Sequence, residues 1–254
     1  MAHLQINDIT LRFAGVRALS GVSLDVKKGS LLAVIGPNGA GKTSLFNCIS
    51  GVYSPSEGTI SLGGKELTSM PPHKVAALGV ARMFQNLALF DNLTVLDNLL
   101  IGRHHLYRSW FTSSMLWLPR ARREEIAHRE RVEQIIDFLD LERYRKIPVI
   151  ILPYGVRKRV ELGRALAMEP QLLLLDEPAA GLNQEETEDM ARYIMDIGHE
   201  LNITRILIEH ELRFVMDLAD EIAVLDFGEK IAHGAPADVR ANPRVIEAYI
   251  GGSA

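Results

Sequence analysis

The sequence predicts an α/β protein: a parallel sheet covered on both faces and interrupted by an all-helical insertion. Unbroken apolar runs are the first sign. LLAVIG at 31–36 and QLLLLDEP at 171–178 lack the alternation of half-solvated strands and have the character of strands buried on both faces. Helical spacing is the second sign: KTSLFNCIS (42–50) and QEETEDMARYIMDIGHEL (184–201) follow those runs, with TRILIEH (204–210) as a further strand. Strands alternating with helices form parallel sheets with helices packed over them. From Thr94 to Met168 the periodicity is mostly helical with no convincing strand, so a helical unit at 94–168 interrupts a core made of 1–93 and 169–254 within one domain, 1–254.

Shorter patterns supply the remaining elements. LQINDITLRF, VSLDV and GTISL alternate enough to read as strands near the front, EIAVLDFGEKIAHG reads as a hairpin turning at Phe227-Gly228, and NPRVIEAYI as a last short helix. A chain of 254 residues can bury one sizeable core. Its formal net charge of -4 offers no basic footprint, so no nucleic-acid partner is expected. Cys48 is the single cysteine, which suits a reducing cytosol. MAHLQINDITLRF lacks the basic start and apolar run of a secretory signal, and no stretch approaches the roughly 18 apolar residues of a spanning helix.

The strongest chemical signal is GPNGAGKTS, Gly36 to Ser44, which satisfies G-x-x-x-x-G-K-[ST] between an apolar strand and a helix start. Glycines let backbone N–H groups curl around phosphate oxygens, and the helix start adds about half a positive charge. Asn38, Gly39, Ala40, Gly41, Lys42, Thr43 and Ser44 are therefore candidate nucleotide-binding residues. Lys42 reaches the β- and γ-phosphates and the Thr43 hydroxyl ligates Mg2+ in such loops. The second signal is LLLLDEP: a buried strand ending in Asp176 sets a carboxylate beside that loop to hold Mg2+, and Glu177 follows as the group that orients or deprotonates the attacking water.

Further elements, in order and over nearly the whole chain, make the sequence resemble the ATP-binding cassette (ABC) ATPases. Gln85 in ARMFQN resembles the family's glutamine loop, which senses Mg2+ and the transport domain; LPYGVRKRVELGRAL resembles the signature, usually LSGGQ or LSYGQ. AAGLNQEE resembles the loop that crosses the dimer interface, His210 the switch histidine that bonds the γ-phosphate, and Phe13 the aromatic stacked on adenine, with Val16 beside it. The resemblance implies a P-loop NTPase fold: a RecA-like parallel core, an antiparallel β subdomain and an inserted α-helical signature subdomain. It also implies ATP and Mg2+ as cofactors and a head-to-tail dimer in which the signature turn, with Tyr154 and Gly155, faces the ATP of the other subunit. Glu177, His210, Lys42 and Gln85 would be its catalytic residues, and Thr43, Gln85 and Asp176 its metal ligands.

Three positions depart from the family pattern. Pro153 stands where a serine hydroxyl would meet the γ-phosphate, Val156 where glutamine is usual, and Asn183 replaces the aspartate of the crossing loop. Uncompensated, lost donors would weaken one composite site by about 1 to 3 kcal/mol. Either Pro153 pre-sets the helix start, or the chain pairs with a second, non-identical ATPase and the site using this signature is the less active one.

The LPYG signature, LLLLDEPAAGLN, the tail NPRVIEAYIGG and the long segment after Gln85 are similar to one branch, the ATPases of branched-chain amino-acid importers (the LivG type). That similarity implies two integral membrane permeases, an indirect solute-binding partner and a peripheral place on the cytoplasmic side of the inner membrane. Leu87, Leu89 and Phe90 are expected linings of the groove that receives a permease helix. The aromatic run Tyr107 to Leu118 packs inside the helical lobe or docks on a membrane subunit or bilayer surface, and Arg120 to Glu133 reads as a solvated, ion-paired helix face. A lipid or lipopolysaccharide exporter ATPase and a soluble iron-sulfur assembly ATPase share the nucleotide site and stand as alternatives. Asp226-Phe227-Gly228 spells a kinase triplet without its HRD loop, and His199-Glu200 and His210-Glu211 lack the second histidine of a zinc protease.

Overall fold

The computed structural model describes residues 2–85, 87–107 and 119–250. Two long antiparallel strands open it, β1 (Ala2–Phe13) and β2 (Val16–Lys27), joined by Ala14 and Gly15, both at positive φ. A two-residue turn of that kind matches the twist of the strands it joins. The apolar run predicted as buried is β3 (Leu31–Ile35), which leads through the glycine-rich loop into α1 (Lys42–Ile49). β4 (Glu57–Leu62) and β5 (Lys65–Glu66) return to the first hairpin and complete a four-stranded antiparallel sheet in the order β2-β1-β4-β5.

The chain then enters the second sheet through α2 (Pro72–Ala77) and β6 (Val80–Met83). Both lay outside the sequence patterns, since α2 has only six residues and β6 carries Arg82 among its four. In the predicted helical stretch stand α3 (Val95–Gly102), α4 (Pro119–Phe138) and α5 (Tyr154–Ala167), with no strand among the described residues of 94–168. Next come β7 (Leu172–Asp176), α6 (Gln184–His199), β8 (Thr204–Ile208), α7 (Leu212–Leu218), the hairpin β9 (Glu221–Asp226) and β10 (Glu229–Gly234), and the short helices α8 (Pro236–Arg240) and α9 (Pro243–Ile250).

The second sheet has six strands in the order β10-β9-β3-β8-β7-β6, every neighbouring pair parallel except the edge pair β10–β9. Alternation along each strand divides its side chains between two cores. Leu172 and Leu174 join Val34, Ile206, Phe46 and the antiparallel sheet on one face, while Leu173 and Leu175 join Leu207, Tyr193 and the inserted helices through Leu99, Ile135 and Val160. Both faces are covered, one by α1 and a sheet rather than by helices alone. Because the helices of 94–168 share a hydrophobic cluster with β7 and α6, burial joins the insertion to the sheet.

Register puts the strand ends level: Val34 pairs Ile208, Ile208 pairs Asp176, and Leu175 pairs Met83. The loops after β3, β6, β7 and β8 thus open along one carboxyl edge, where α/β sheets bind ligands. Among the described residues no helix is long and apolar enough to cross a membrane. Residues 108–118 of the aromatic run fall outside the described residues, but Tyr107 packs on α4: its ring centroid is 4.1 Å from that of His128, and its hydroxyl donates to Glu125 Oε2 at 3.0 Å. The charge run on α4 pairs outward, Arg131 with Glu169 and Glu133 with Arg145.

The β9–β10 turn is Phe227-Gly228, at φ 43 and 82, and Gly228 N donates to Ala40 O at 3.0 Å, stitching the turn to the glycine-rich loop. Phe227 is 88% exposed, so it loses backbone freedom without gaining burial. Replacing it with asparagine, the residue such turns favour, should raise unfolding stability by about 0.5 to 1 kcal/mol, read as a higher urea midpoint at unchanged slope.

Candidate active site

The glycine-rich loop is built by geometry that admits no side chain at two points. Gly36, at φ 149, lies where a Cβ would collide with the Leu225 carbonyl, and Gly41, at φ 100, where one would come within 2.6 Å of Ala18 O. Gly41 caps α1 without a side-chain partner, and no acidic residue stands in that helix's first turn, so the positive end of the helix is left facing the loop. Lys42 folds back over the loop and donates to Gly36 O at 2.6 Å and Pro37 O at 2.9 Å. Burial lowers its pKa, and the carboxylates of Glu177 and Asp176 pull in the opposite direction.

Glu177 faces this loop. It stands directly after β7 with its backbone at φ 51, and its N–H donates to Ile208 O at 2.9 Å. Its carboxylate is held from two sides: Gln85 Nε2 donates to Oε2 at 2.6 Å, and His210 Nε2 lies 2.7 Å from Oε1. One residue earlier, Asp176 accepts from Arg82 at 2.6 Å, a pair whose side chains are both under a tenth exposed. Arg82 also donates to Asn47 Oδ1 at 2.7 Å and lies over the rings of Phe46 and Phe84. Removing one partner of a pair enclosed in this way costs about 3 to 5 kcal/mol, so Arg82 fixes where the Asp176 carboxylate stands.

A cavity of about 390 Å³ collects most of the predicted residues: Val16, Asn38, Gly39, Ala40, Gly41, Lys42, Thr43, Ser44, Glu177 and His210 all line it. Gln85 joins through Glu177, and Asp176 lies behind at the strand end. Phe13 does not line the cavity; it is half exposed beside it, packed edge-on against Tyr53 at 5.0 Å. Tyr154 and Gly155 are likewise outside it, at the start of α5, where the Tyr154 ring packs toward Gly181. Leu87, Leu89 and Phe90 do not line the groove of about 410 Å³ between α2, α3 and α5, whose apolar walls are Val52, Phe84, Ile101 and Met168.

The departures from the signature pattern have uses within this chain. Val156 is buried in the core and Asn183 caps α6: its Oδ1 accepts from Glu186 N at 3.0 Å while Glu186 Oε2 accepts from Asn183 N at 3.1 Å. That N-x-x-E spacing is a capping box readable in the sequence. Pro153 stands at the N-cap of α5 at φ −54, its carbonyl accepting from Arg157 N at 3.0 Å. Glu209, 4% exposed, accepts from Ala179 N at 2.9 Å and His210 N at 3.1 Å, joining the loop after Glu177 to His210. Arg82 and Glu209 were missed because their partners, Asp176 and Ala179, lie on other segments of the chain.

The glycine-rich loop, a lysine and a carboxylate held by glutamine and histidine thus meet at one sheet edge. The ABC transporter family model matches residues 19–180. The chain belongs to the ABC transporter family. It therefore binds nucleotide and is an ATPase subunit of a transporter. A second model, the branched-chain amino acid ATP-binding cassette transporter, matches residues 229–254. The high-affinity branched-chain amino acid transport ATP-binding protein BraF of Pseudomonas aeruginosa is 40% identical, over 98% of this chain and 97% of that one. LivG of Escherichia coli, described in the same terms, is 38% identical over the same shares. A nucleotide-free ATP-binding cassette from an ABC transporter superposes with a TM-score of 0.86 at 33% identity, covering 99% of this chain and 100% of that one.

Gly155 packs closely in its own chain: a Cβ there would meet the Glu186 carboxylate, which would have to shift. Gly155→Ala should displace Glu186 from its capping box and cost about 1 kcal/mol in denaturant unfolding, and Glu186→Ala should remove most of that difference in a double-mutant cycle.

Proposed function

We propose that the chain is the ATP-hydrolysing subunit of an importer for branched-chain amino acids or a related small solute. The observation that carries it is Glu177, bonded by Gln85 and His210, facing Lys42 across one cavity. The match of residues 229–254 to the branched-chain transporter model and the printed names of BraF and LivG favour import over the exporter and iron-sulfur alternatives.

In this reading the triphosphate lies against the N–H groups of residues 38–44, and Lys42 exchanges its two loop carbonyls for phosphate oxygens. Phe13 and Val16 flank the base. Glu177 orients the attacking water and accepts its proton, His210 bonds the γ-phosphate, and Gln85 holds the Glu177 carboxylate in line. Thr43, Gln85 and Asp176 offer the oxygen donors a hard cation prefers, and among the described residues no cluster of three or more His, Cys, Asp or Glu forms a cage, so Mg2+ would take its other ligands from phosphate and water. Bound there, Mg2+ neutralises charge on the β- and γ-phosphates.

Tyr154 and Gly155 do not line their own chain's cavity and Tyr154 is exposed, which supports their serving the ATP of a second subunit in a head-to-tail dimer. Residues 94–168 act as the helical unit that carries the signature, set into a core of 1–93 and 169–254. The second ATPase is a non-identical chain; two integral permeases and, indirectly, a solute-binding protein complete the complex at the cytoplasmic face of the inner membrane. Val156 and Asn183 already serve this chain's own fold, so the altered signature slows rather than abolishes turnover.

Glu177→Gln should nearly eliminate hydrolysis in the purified complex while ATP binding persists, whereas Pro153→Ser should change the rate by less than about tenfold; equal losses from both would refute the assignment. Affinity purification from detergent-solubilised membranes should recover integral permeases and a different ATPase. Soluble scaffold proteins in their place, or a closed homodimer with Mg-ATP, would count against the proposed assembly.

A further inference from the structure

A lysine with no exposed surface stands between the elements that carry the hydrolytic side chains. Lys158, on α5, donates from Nζ to the main-chain carbonyls of Gln85 at 3.2 Å and Glu177 at 3.4 Å. α5, the segment after β6 and the end of β7 therefore meet on one ammonium group. Arg164, on the same helix, donates to Ala88 O, so α5 holds the Gln85 segment at two carbonyls. One turn before Lys158, the Tyr154 ring lies 5.9 Å from the ammonium, and its hydroxyl donates to Ala180 O at 3.4 Å, in the loop that follows Glu177.

Stability alone does not call for a lysine here. Enclosing an ammonium carries a desolvation cost that an apolar side chain of similar volume avoids, and burial does lower the Lys158 pKa, against the pull of Glu161, Glu209, Glu177 and Asp176. What the ammonium adds is a fixed relation between two backbones. The residues whose carbonyls it holds are the same two whose side chains meet, Gln85 Nε2 on Glu177 Oε2 at 2.6 Å. A shift of about 1 Å in such a pair is enough to cost a reaction two orders of magnitude.

We propose that Lys158 is a positioning residue for hydrolysis, fixing the backbone of Gln85 against that of Glu177 so that both side chains are presented together. Because Lys158 stands on the helix that opens with Tyr154 and Gly155, it also ties the signature turn to the hydrolytic carboxylate of its own chain. The proposal rests on the role given to Glu177 above.

The test uses full-length Lys158→Met and Lys158→Arg in the complex purified from membranes, with the unaltered complex and Glu177→Gln as controls. Lys158→Met should lower kcat about tenfold or more with KM for ATP within about twofold, and Lys158→Arg, which keeps a donor in place, should recover most of the rate. In a Gln85→Ala background, Lys158→Met should have little further effect. Hydrogen exchange on the full chain supplies a readout apart from activity: Lys158→Met should speed exchange at 84–88 and 177–180 and leave β1 and β2 unchanged. Should the methionine variant fail to fold, Lys158→Gln takes its place.

An unchanged kcat in a complex that Glu177→Gln inactivates overturns the proposal, as does unchanged exchange in both segments. Parallel loss of ATP affinity, kcat and global protection marks a purely structural role and overturns it too. If Glu177→Gln leaves hydrolysis intact, the role of Glu177 falls instead, and the exchange result alone decides whether Lys158 holds the two segments.

Discussion

Glu177 carries its carboxylate on a left-handed backbone, an uncommon and strained conformation for a side-chain-bearing residue, which its surroundings hold in place. Those surroundings are specific. Its N–H is taken by Ile208 O on the neighbouring strand, its carbonyl by Lys158, and its two carboxylate oxygens by Gln85 and His210. The loop that follows is pinned by Glu209 at Ala179. Strain of about 1 to 3 kcal/mol held at one residue is thus offset by bonds drawn from β6, β7, β8 and α5. Any motion of those elements relative to one another is felt at the carboxylate.

That convergence follows from strand register. β3, β6, β7 and β8 end level, so the phosphate loop, Gln85, Glu177 and His210 emerge at one edge although they are far apart in sequence. The same architecture separates two kinds of glycine. Gly36 and Gly41 let the loop backbone pass close to the Leu225 and Ala18 carbonyls, whereas Gly155 makes room for a carboxylate of its own chain. Tyr154 and Gly155, by contrast, stand outside the lining of the cavity.

The parallel core was legible in the sequence because β3, β7 and β8 are buried on both faces and show as unbroken apolar runs. The short elements α2, α7 and α8 were not: none exceeds seven residues, too few for helical periodicity to register. At the site, Lys42 and Glu177 could be placed from the glycine loop and the strand end, and His210 through the resemblance to the ABC ATPases. Arg82, Lys158 and Glu209 could not, because their roles come from contacts across the fold: Asp176 lies on another strand, and Gln85 and Ala179 on other loops. Asn183 is an intermediate case, since its capping box with Glu186 is a local pattern that family likeness had overshadowed.

The central claim is that a triphosphate is held between the loop of residues 36–44 and Glu177, with Lys42 as its main side-chain contact. Calorimetric titration of Mg-ATP into the unaltered chain and into Lys42→Ala tests it directly. A charge-assisted contact of this kind predicts a loss of affinity of about tenfold to a hundredfold in the variant, with the fold intact by circular dichroism. Equal affinity in the two proteins, or no binding to the unaltered chain either alone or with its natural companions, would contradict the account.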